Sequence, residues 1–249
     1  LVIFTILTVF LTRRAPGLPL TPTSKPSLRP KLALGFLICL IGLVFIGSLA
    51  LQGHCIISWP AYCHFYTHTL SNRFPVGDWI FFPTEIFNPI VYLVIPMAVL
   101  LLLGSRLREL GFAQGWKSWR ITTLWAILPF GLLAWRWYSD STTGLIIAQS
   151  AVSNGLQNGL FEEFLFRGAL MTRLMIFFDA TWSVVLAALA FGFWHVGANL
   201  SQTHGAVLPA LSLCVLQQGV FGIAMGIVFI RTRNLLASSV FHVVGNMLG

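Results

Sequence analysis

Charged side chains are scarce in this sequence. Only 9% of its 249 residues are Asp, Glu, Lys or Arg, and only seven are acidic. Soluble domains carry about 25% charged residues and use them to cover an apolar core. A chain with 57% hydrophobic residues lacks such a cover, so the composition excludes an ordinary soluble globular protein and indicates a membrane protein.

Cysteines and metal-binding patterns are also sparse. Of the four cysteines, Cys39 and Cys214 lie in apolar runs, where we expect a packing role. Cys55 and Cys63 share one loop, so a disulfide can form between them in an oxidising compartment. The sequence contains neither an HExxH motif nor a metal-binding pair of cysteines.

Long apolar runs are what the sequence does contain. Eight candidate membrane spans cover about residues 1–11, 32–52, 80–104, 121–136, 144–170, 181–199, 207–230 and 235–249. Most approach the ~20 residues that a helix needs to cross a bilayer. The predicted fold is therefore all-α, a polytopic transmembrane bundle of seven or eight helices. The first run begins at Leu1 without an initiator Met, so we expect it to be the remnant of a longer segment.

The runs divide the chain into three predicted parts. Residues 1–31 combine a peripheral first helix with a basic linker at 15–30, which is too rich in proline to be helical throughout. Residues 32–140 are expected to hold the N-terminal transmembrane helices and an interfacial segment at 105–120. Residues 141–249 are expected to form the functional helical core.

Lys and Arg are concentrated in every second loop. The basic segments are residues 12–31, residues 105–120, the turn at Arg173, and the turn at Arg231 and Arg233. The loop 53–79, in contrast, contains only Arg73. Under the positive-inside rule the basic loops are cytoplasmic. Topology then accounts for the net charge of +8, which favours contact with membrane lipids and requires no nucleic acid.

Two of the acidic residues are adjacent inside an apolar run. Glu162 and Glu163 lie in the stretch NGLFEEFLFRGAL. A charged side chain at the bilayer centre costs about 2.5–3.5 kcal/mol on insertion scales, so such residues are candidate functional residues. Helical spacing places Arg167 on the face of Glu163, whereas Glu162 is rotated by about 100°. We therefore expect Glu163 and Arg167 to form an ion pair that braces a free Glu162 carboxylate.

Glu162 also continues a row of polar residues spaced by four. The other members of the row are Ser150, Asn154 and Asn158. Such a row predicts a wet groove along one face of the helix. The competing interpretation is a network of ion pairs that only holds helices together.

Two histidines favour chemistry over this competing interpretation. His195 and His242 lie in two further apolar runs, and each is followed four residues later by an asparagine, Asn199 or Asn246. A single membrane histidine is more often a hydrogen-bonding residue between helices. Counted from the basic ends of their helices at 1.5 Å per residue, both histidines and Glu162 fall at similar depths. One shared site is therefore feasible.

Three short elements resemble the motifs of the CPBP family, which contains the CAAX prenyl endopeptidases and the bacteriocin-processing (Abi-type) membrane proteases. The elements are EEFLFR at 162–167, FGFWH at 191–195 and HVVGN at 242–246. They follow the family patterns EExxxR, FxxxH and HxxxN/D, in the same order and on separate spans. The similarity covers about residues 145–249, and the N-terminal half matches only in general topology.

The resemblance implies an intramembrane endopeptidase. The implied catalytic residues are Glu162, His195, His242 and Asn246, and the implied supporting residues are Glu163, Arg167 and Phe191. In this scheme Glu162 and His195 activate a water molecule. His242 and Asn246 stabilise the oxyanion of the tetrahedral intermediate.

The cofactor, the substrate and the location follow as expectations. No metal is assigned; if the enzyme were a metallo-endopeptidase, a zinc ion would be bound by Glu162, His195 and His242. The expected substrate is a membrane-associated peptide or lipidated protein tail, and the other expected partners are membrane lipids. We expect an integral protein of the bacterial inner membrane, with a site that opens toward the cytoplasm.

Two other functional classes are compatible with a polar cluster in a membrane. A non-catalytic scaffold would keep the cluster for assembly and would tolerate Glu162→Gln. A small transporter would use the same groove as a pathway and would be expected to contain inverted repeats, which the sequence lacks.

Overall fold

The computed structural model of the protein describes residues 1–14, 27–56, 59–139 and 144–247. Residues 15–26 of the predicted proline-rich linker lie outside the described residues. The three predicted parts of the chain, divided after residues 31 and 140, stay predictions.

Helices make up most of the described chain, so the predicted all-α class is confirmed. The helices are α1 (Val2–Leu11), α2 (Leu28–Leu51), α3 (60–70), α4 (Thr84–Leu102), α5 (Ser118–Ser139), α6 (144–174), α7 (Ala180–Trp194), α8 (Val196–Gln202), α9 (Val207–Thr232) and α10 (Leu236–Asn246). Two short strands, β1 (Phe74–Val76) and β2 (Trp79–Phe81), form an antiparallel hairpin that was not predicted. Its two-residue turn contains Gly77 at φ +60°, a conformation that favours glycine.

Three helices in the described ranges are long and apolar enough to cross a membrane, namely α2, α4 and α9. Helices α7 and α8 would make a fourth span if they count as one helix bent by 46°. The predicted total of seven or eight spans is not confirmed: α5 and α6 are not among the candidate spans, and α1 and α10 have only 10 and 11 residues. The two ends of the chain therefore contribute helices shorter than a bilayer requires.

The chain divides into two compact units. Unit 1 comprises Leu1–Leu20, Glu85–Ala169 and Ile227–Gly249, and unit 2 comprises Thr21–Thr84 and Leu170–Gly226. In unit 1, α5 packs along α10 and also contacts α1. Trp125 of α5 joins all three helices, because its indole N–H donates to Thr8 Oγ1 (2.8 Å) and its ring meets Phe241 edge-on.

The predicted interfacial segment 105–120 packs onto the turn between α9 and α10, within unit 1. Trp116 N–H donates to the Thr232 carbonyl, at 2.8 Å. The amide of Asn234 donates to the Ala113 carbonyl, at 2.7 Å. These bonds fix the start of α10, the helix that carries His242.

In unit 2, helices approach closely where side chains are small. A Cβ at Gly222 of α9 would press on Ala188 of α7, and one at Gly192 of α7 would collide with the Cys214 carbonyl. The glycines therefore serve close helix packing. The disulfide that the sequence allowed between Cys55 and Cys63 is present.

Part of the side-chain distribution is reversed relative to a soluble protein, although an apolar core is buried as well. Large apolar residues are exposed along the candidate spans, for example Leu102 and Leu216, whereas Glu163 and Arg167 are 0% and 1% exposed. Together with the apolar spans, this reversal supports an integral membrane protein.

Candidate active site

The two adjacent glutamates lie in α6, in a short regular α-helical segment between two wide π-type segments. A wide π-type turn at Gly155–Gly159 precedes the regular segment Leu160–Glu163, and a second one at Phe164–Met171 follows it. Turns of this kind occur frequently at functional sites. They rotate the side chains that follow, so simple helical spacing does not fix which faces those residues share.

A glycine brings α10 against α6 beside the glutamates. A Cβ at Gly159 would collide with the side chain of Val243, which follows His242 on α10. Only a residue without a side chain allows this approach. The contact holds His242 next to the Glu162–Glu163 pair.

Glu163, Arg167 and His242 form a buried network within unit 1. Arg167 Nη1 lies 3.0 Å from Glu163 Oε1, and His242 Nδ1 lies 3.0 Å from the same oxygen. The predicted ion pair between Glu163 and Arg167 is therefore present. The carboxylate also accepts the Nδ1–H of His242, which fixes the orientation of the imidazole ring.

Glu162 has different surroundings. Its Oε2 lies 3.8 Å from His242 Nε2, which is too long for a direct hydrogen bond. Among the described residues, no hydrogen-bond partner for Glu162 Oε2 is found, although the residue is only 5% exposed. Glu162 thus keeps an oxygen that can accept a proton, next to a histidine that Glu163 holds in place.

His195 and Phe191 belong to unit 2. His195 is half-buried at the bend between α7 and α8, and its Nδ1 lies 2.9 Å from the Phe191 carbonyl. A carbonyl can only accept, so Nδ1 carries a proton, and the tautomer of the neutral ring that fits this contact has Nε2 as its acceptor nitrogen. The ring of Phe191 meets the imidazole edge-on at 4.7 Å.

The two asparagines that follow the histidines differ. Asn199 is buried in unit 2 and exchanges hydrogen bonds with Gln218 of α9 in both directions, at 3.2 Å. It therefore acts as a link between helices. Asn246 is exposed at the end of α10, where Arg136 Nη1 donates to the neighbouring Met247 carbonyl, at 3.2 Å.

The predicted polar row is continuous along α6. The Asn154 amide donates to Ser150, and the Asn158 amide donates to Asn154 Oδ1, at 3.4 Å. These bonds carry the row to the turn before Glu162. The wet groove itself stays a prediction.

Sequence reasoning missed a further buried carboxylate in unit 1, Glu85 of α4. Ser153 Oγ donates to Glu85 Oε1 at 2.6 Å, and Gln157 Nε2 lies 3.4 Å from the same oxygen. One turn later, the Asn88 amide donates to the Gln157 carbonyl at 2.6 Å, inside the wide turn of α6. Helix α4 therefore binds the wide turn that precedes the catalytic candidates, through the contacts of Glu85 and Asn88 with Gln157. The sequence could have indicated this residue, because Glu85 is an acidic residue inside a predicted apolar span, as Glu162 is.

A metal site is not evident in the part of the chain that the structure describes. No group of three His, Cys, Asp or Glu residues there is arranged to hold a metal ion. Glu162 and His242 could supply two donors to a zinc ion, but a zinc site needs at least three protein ligands.

Comparison with known proteins gives one match. Residues 143–248 match the model of the Rce1-like family, described as type II CAAX prenyl endopeptidase Rce1-like. No curated protein and no solved structure matches the chain. The matched segment contains every predicted site residue, from Glu162 to Asn246. The resemblance drawn from the three motifs is thereby confirmed, and over residues 143–248 the chain is similar to the Rce1-like CAAX proteases.

Proposed function

We propose that this protein is an intramembrane endopeptidase that hydrolyses a peptide bond with water activated by Glu162. The observation that carries the proposal is the buried cluster of Glu162, Glu163, Arg167 and His242, inside a segment that matches a protease family. Within this cluster, Oε2 of Glu162 and Oε2 of Glu163 both lack a protein donor among the described residues. Because Glu163 already binds Arg167 and His242 through Oε1, Glu162 is the carboxylate that we assign to the water.

In the proposed reaction, Glu162 accepts a proton from water as the water oxygen attacks the scissile carbonyl carbon. The carbonyl oxygen becomes an oxyanion. Glu162 then gives the proton to the amide nitrogen as the C–N bond breaks, which restores the carboxylate. General acid–base transfer of this kind contributes about 10²–10⁴-fold to a rate.

The histidines would have separate roles. To stabilise the oxyanion, His242 must carry protons on both nitrogens, because Nδ1–H donates to Glu163 and Nε2–H would donate to the oxyanion. The family motif assigns Asn246 the same task. As a neutral ring, His195 would assist the removal of the water proton, since Nε2 is then the acceptor nitrogen while Nδ1–H donates to the Phe191 carbonyl.

The substrate and the location are part of the proposal. A peptide or lipidated protein tail would reach the site from the membrane or from the cytoplasm. The basic loops favour a site that opens toward the cytoplasm. The bacterial inner membrane and a bundle of seven or eight helices are further parts of the proposal.

The test is cleavage of a quenched peptide library by purified protein in detergent. We expect Glu162→Gln and His195→Ala each to lower the rate at least about 100-fold. Asp78→Asn should retain the wild-type rate, because Asp78 is exposed in the turn of the hairpin. Unfolding midpoints of all variants should be measured in parallel, so that loss of fold is separated from loss of chemistry.

The same assay separates the alternatives. Activity that survives a chelator supports glutamate chemistry. Loss of activity on chelation and its recovery with zinc would instead assign Glu162, His195 and His242 as metal ligands. Equal rates in wild type and both variants would contradict the assigned site. If Glu162→Gln kept both its fold and full function in cells, the scaffold interpretation would replace the enzyme.

A further inference from the structure

Unit 2 contains an apolar cavity that the proposed reaction does not use. Its volume is about 380 Å³. It is lined by Ile38, Gly42 and Phe45 of α2, by Leu174 at the end of α6, and by Leu186 and Phe193 of α7. We propose that this cavity binds one acyl chain of an anionic phospholipid from the surrounding bilayer.

The shape and lining of the cavity suit a single hydrocarbon chain. Its walls are almost entirely apolar, so it offers little to a polar ligand. Its volume lies near the lower end of the range for ligand pockets, about 300–1,000 Å³, which fits one chain better than a whole lipid. The phospholipid head group must therefore remain outside.

The mouth of the cavity faces the membrane. Ile38 and Phe193 line the cavity and are nevertheless 57% and 42% exposed. Helix α2 is one of the candidate spans, so exposed apolar residues in its middle contact lipid. Phospholipid chains are consequently the apolar molecules with direct access to the cavity.

A cation, Lys31, lies on the same face of α2, in the first turn of the helix. Lys31, Ile38 and Phe45 are spaced by seven residues, which places them on one helical face. Lys31 is exposed and lies about 10 Å along the axis from Ile38, at 1.5 Å per residue. Helix α2 contains no acidic residue. A phospholipid whose phosphate binds Lys31 would thus have its acyl chain directed along the face of α2 that lines the cavity. The positive charge of Lys31 favours an anionic head group.

Photolabelling tests the proposal without any need for proteolysis. The protein is reconstituted in phosphatidylcholine vesicles with phosphatidylglycerol that carries a diazirine in the middle of one chain. Labels on wild type should be found on peptides from α2 and α7. Gly42→Phe should lower this labelling at least fivefold, because a Cβ at residue 42 meets no described atom within 4 Å and the new ring can fill the cavity.

Gly131→Phe is the matched control. Gly131 lies on α5, and a Cβ there also has no neighbour within 4 Å in the described chain. This variant should be labelled like wild type at α2 and α7. Equal labelling of Gly42→Phe and wild type, with both proteins folded, would overturn the proposal.

Two further arms examine the ligand. Lys31→Gln should reduce labelling by the phosphatidylglycerol probe and leave labelling by a matching phosphatidylcholine probe unchanged. Equal loss with both probes would contradict the role of the head group. If a prenylated peptide displaced the label and excess phosphatidylglycerol did not, the cavity would be a substrate site and the lipid proposal would be wrong.

Discussion

Glu162 and Glu163 are neighbours in the chain, yet their carboxylates have different surroundings. Glu163 Oε1 is shared between Arg167 and His242 at 3.0 Å each. Glu162 Oε2 lies 3.8 Å from His242 Nε2 and, like Glu163 Oε2, has no hydrogen-bond partner within the described residues. A substitution at Glu163 should therefore act first on folding, and one at Glu162 should act first on catalysis.

We predict that Glu163→Gln destabilises the protein strongly. The substitution removes the negative charge that compensates the buried guanidinium of Arg167. Breaking a buried ion pair on one side costs about 3–5 kcal/mol. Thermal unfolding in detergent, followed by tryptophan fluorescence, should show a lower midpoint. Asp78→Asn removes one exposed carboxylate and should leave the midpoint unchanged.

A double variant checks the cause of this loss. Glu163→Gln combined with Arg167→Met removes the carboxylate and the guanidinium together, so no uncompensated charge remains in the pair. The double variant should unfold at a higher temperature than Glu163→Gln alone. A midpoint equal to or lower than that of the single variant would show that the ion pair is not the source of the stability.

At the scale of elements, the site depends on the wide turn at Gly155–Gly159. Helix α4 fastens this turn from one side through Glu85 and Asn88. Helix α10 packs against it from the other side through Val243. The distance between Glu162 and His242 is thus set by two helices that meet α6 just before the glutamates.

We predict that Gly159→Ala weakens both stability and cleavage. A Cβ at this position collides with Val243, and overpacking of this kind costs about 1–3 kcal/mol. Gly155→Ala is the control on the same turn, because a Cβ there has no described atom within 4 Å. It should be neutral or slightly stabilising, since Ala favours a helix over Gly.

A compensating change completes this test. Val243→Ala removes the group that the new Cβ meets, so it should restore part of the stability and activity of Gly159→Ala. The readouts are the unfolding midpoint and the rate of peptide cleavage. If Gly159→Ala and Gly155→Ala behaved alike, the close approach of α10 would not matter for the site.

At the scale of the molecule, the sequence predicted the chemistry of single helices better than their lengths and partners. Composition was enough to predict an all-α membrane protein, and i, i+4 spacing was enough to predict the ion pair between Glu163 and Arg167. Spacing could not predict that His242 binds Glu163, because that contact joins residues 79 positions apart. It also gave no sign of the wide turns in α6, since these depend on the helices packed around them. The expectation that His195 joins the same site stays a prediction.

The orientation in the membrane can be tested across α4. This helix connects a loop that contains the Cys55–Cys63 disulfide with the basic segment 105–120. The two ends of one spanning helix lie on opposite sides of the bilayer, and the positive-inside rule places the basic end in the cytoplasm.

In a variant without native cysteines, Ser71→Cys should therefore react with a membrane-impermeant thiol reagent on intact cells, whereas Gln114→Cys should not. Both should react after lysis, because both positions are exposed. The reverse pattern on intact cells would place the basic segments outside and remove the basis for a site that opens toward the cytoplasm.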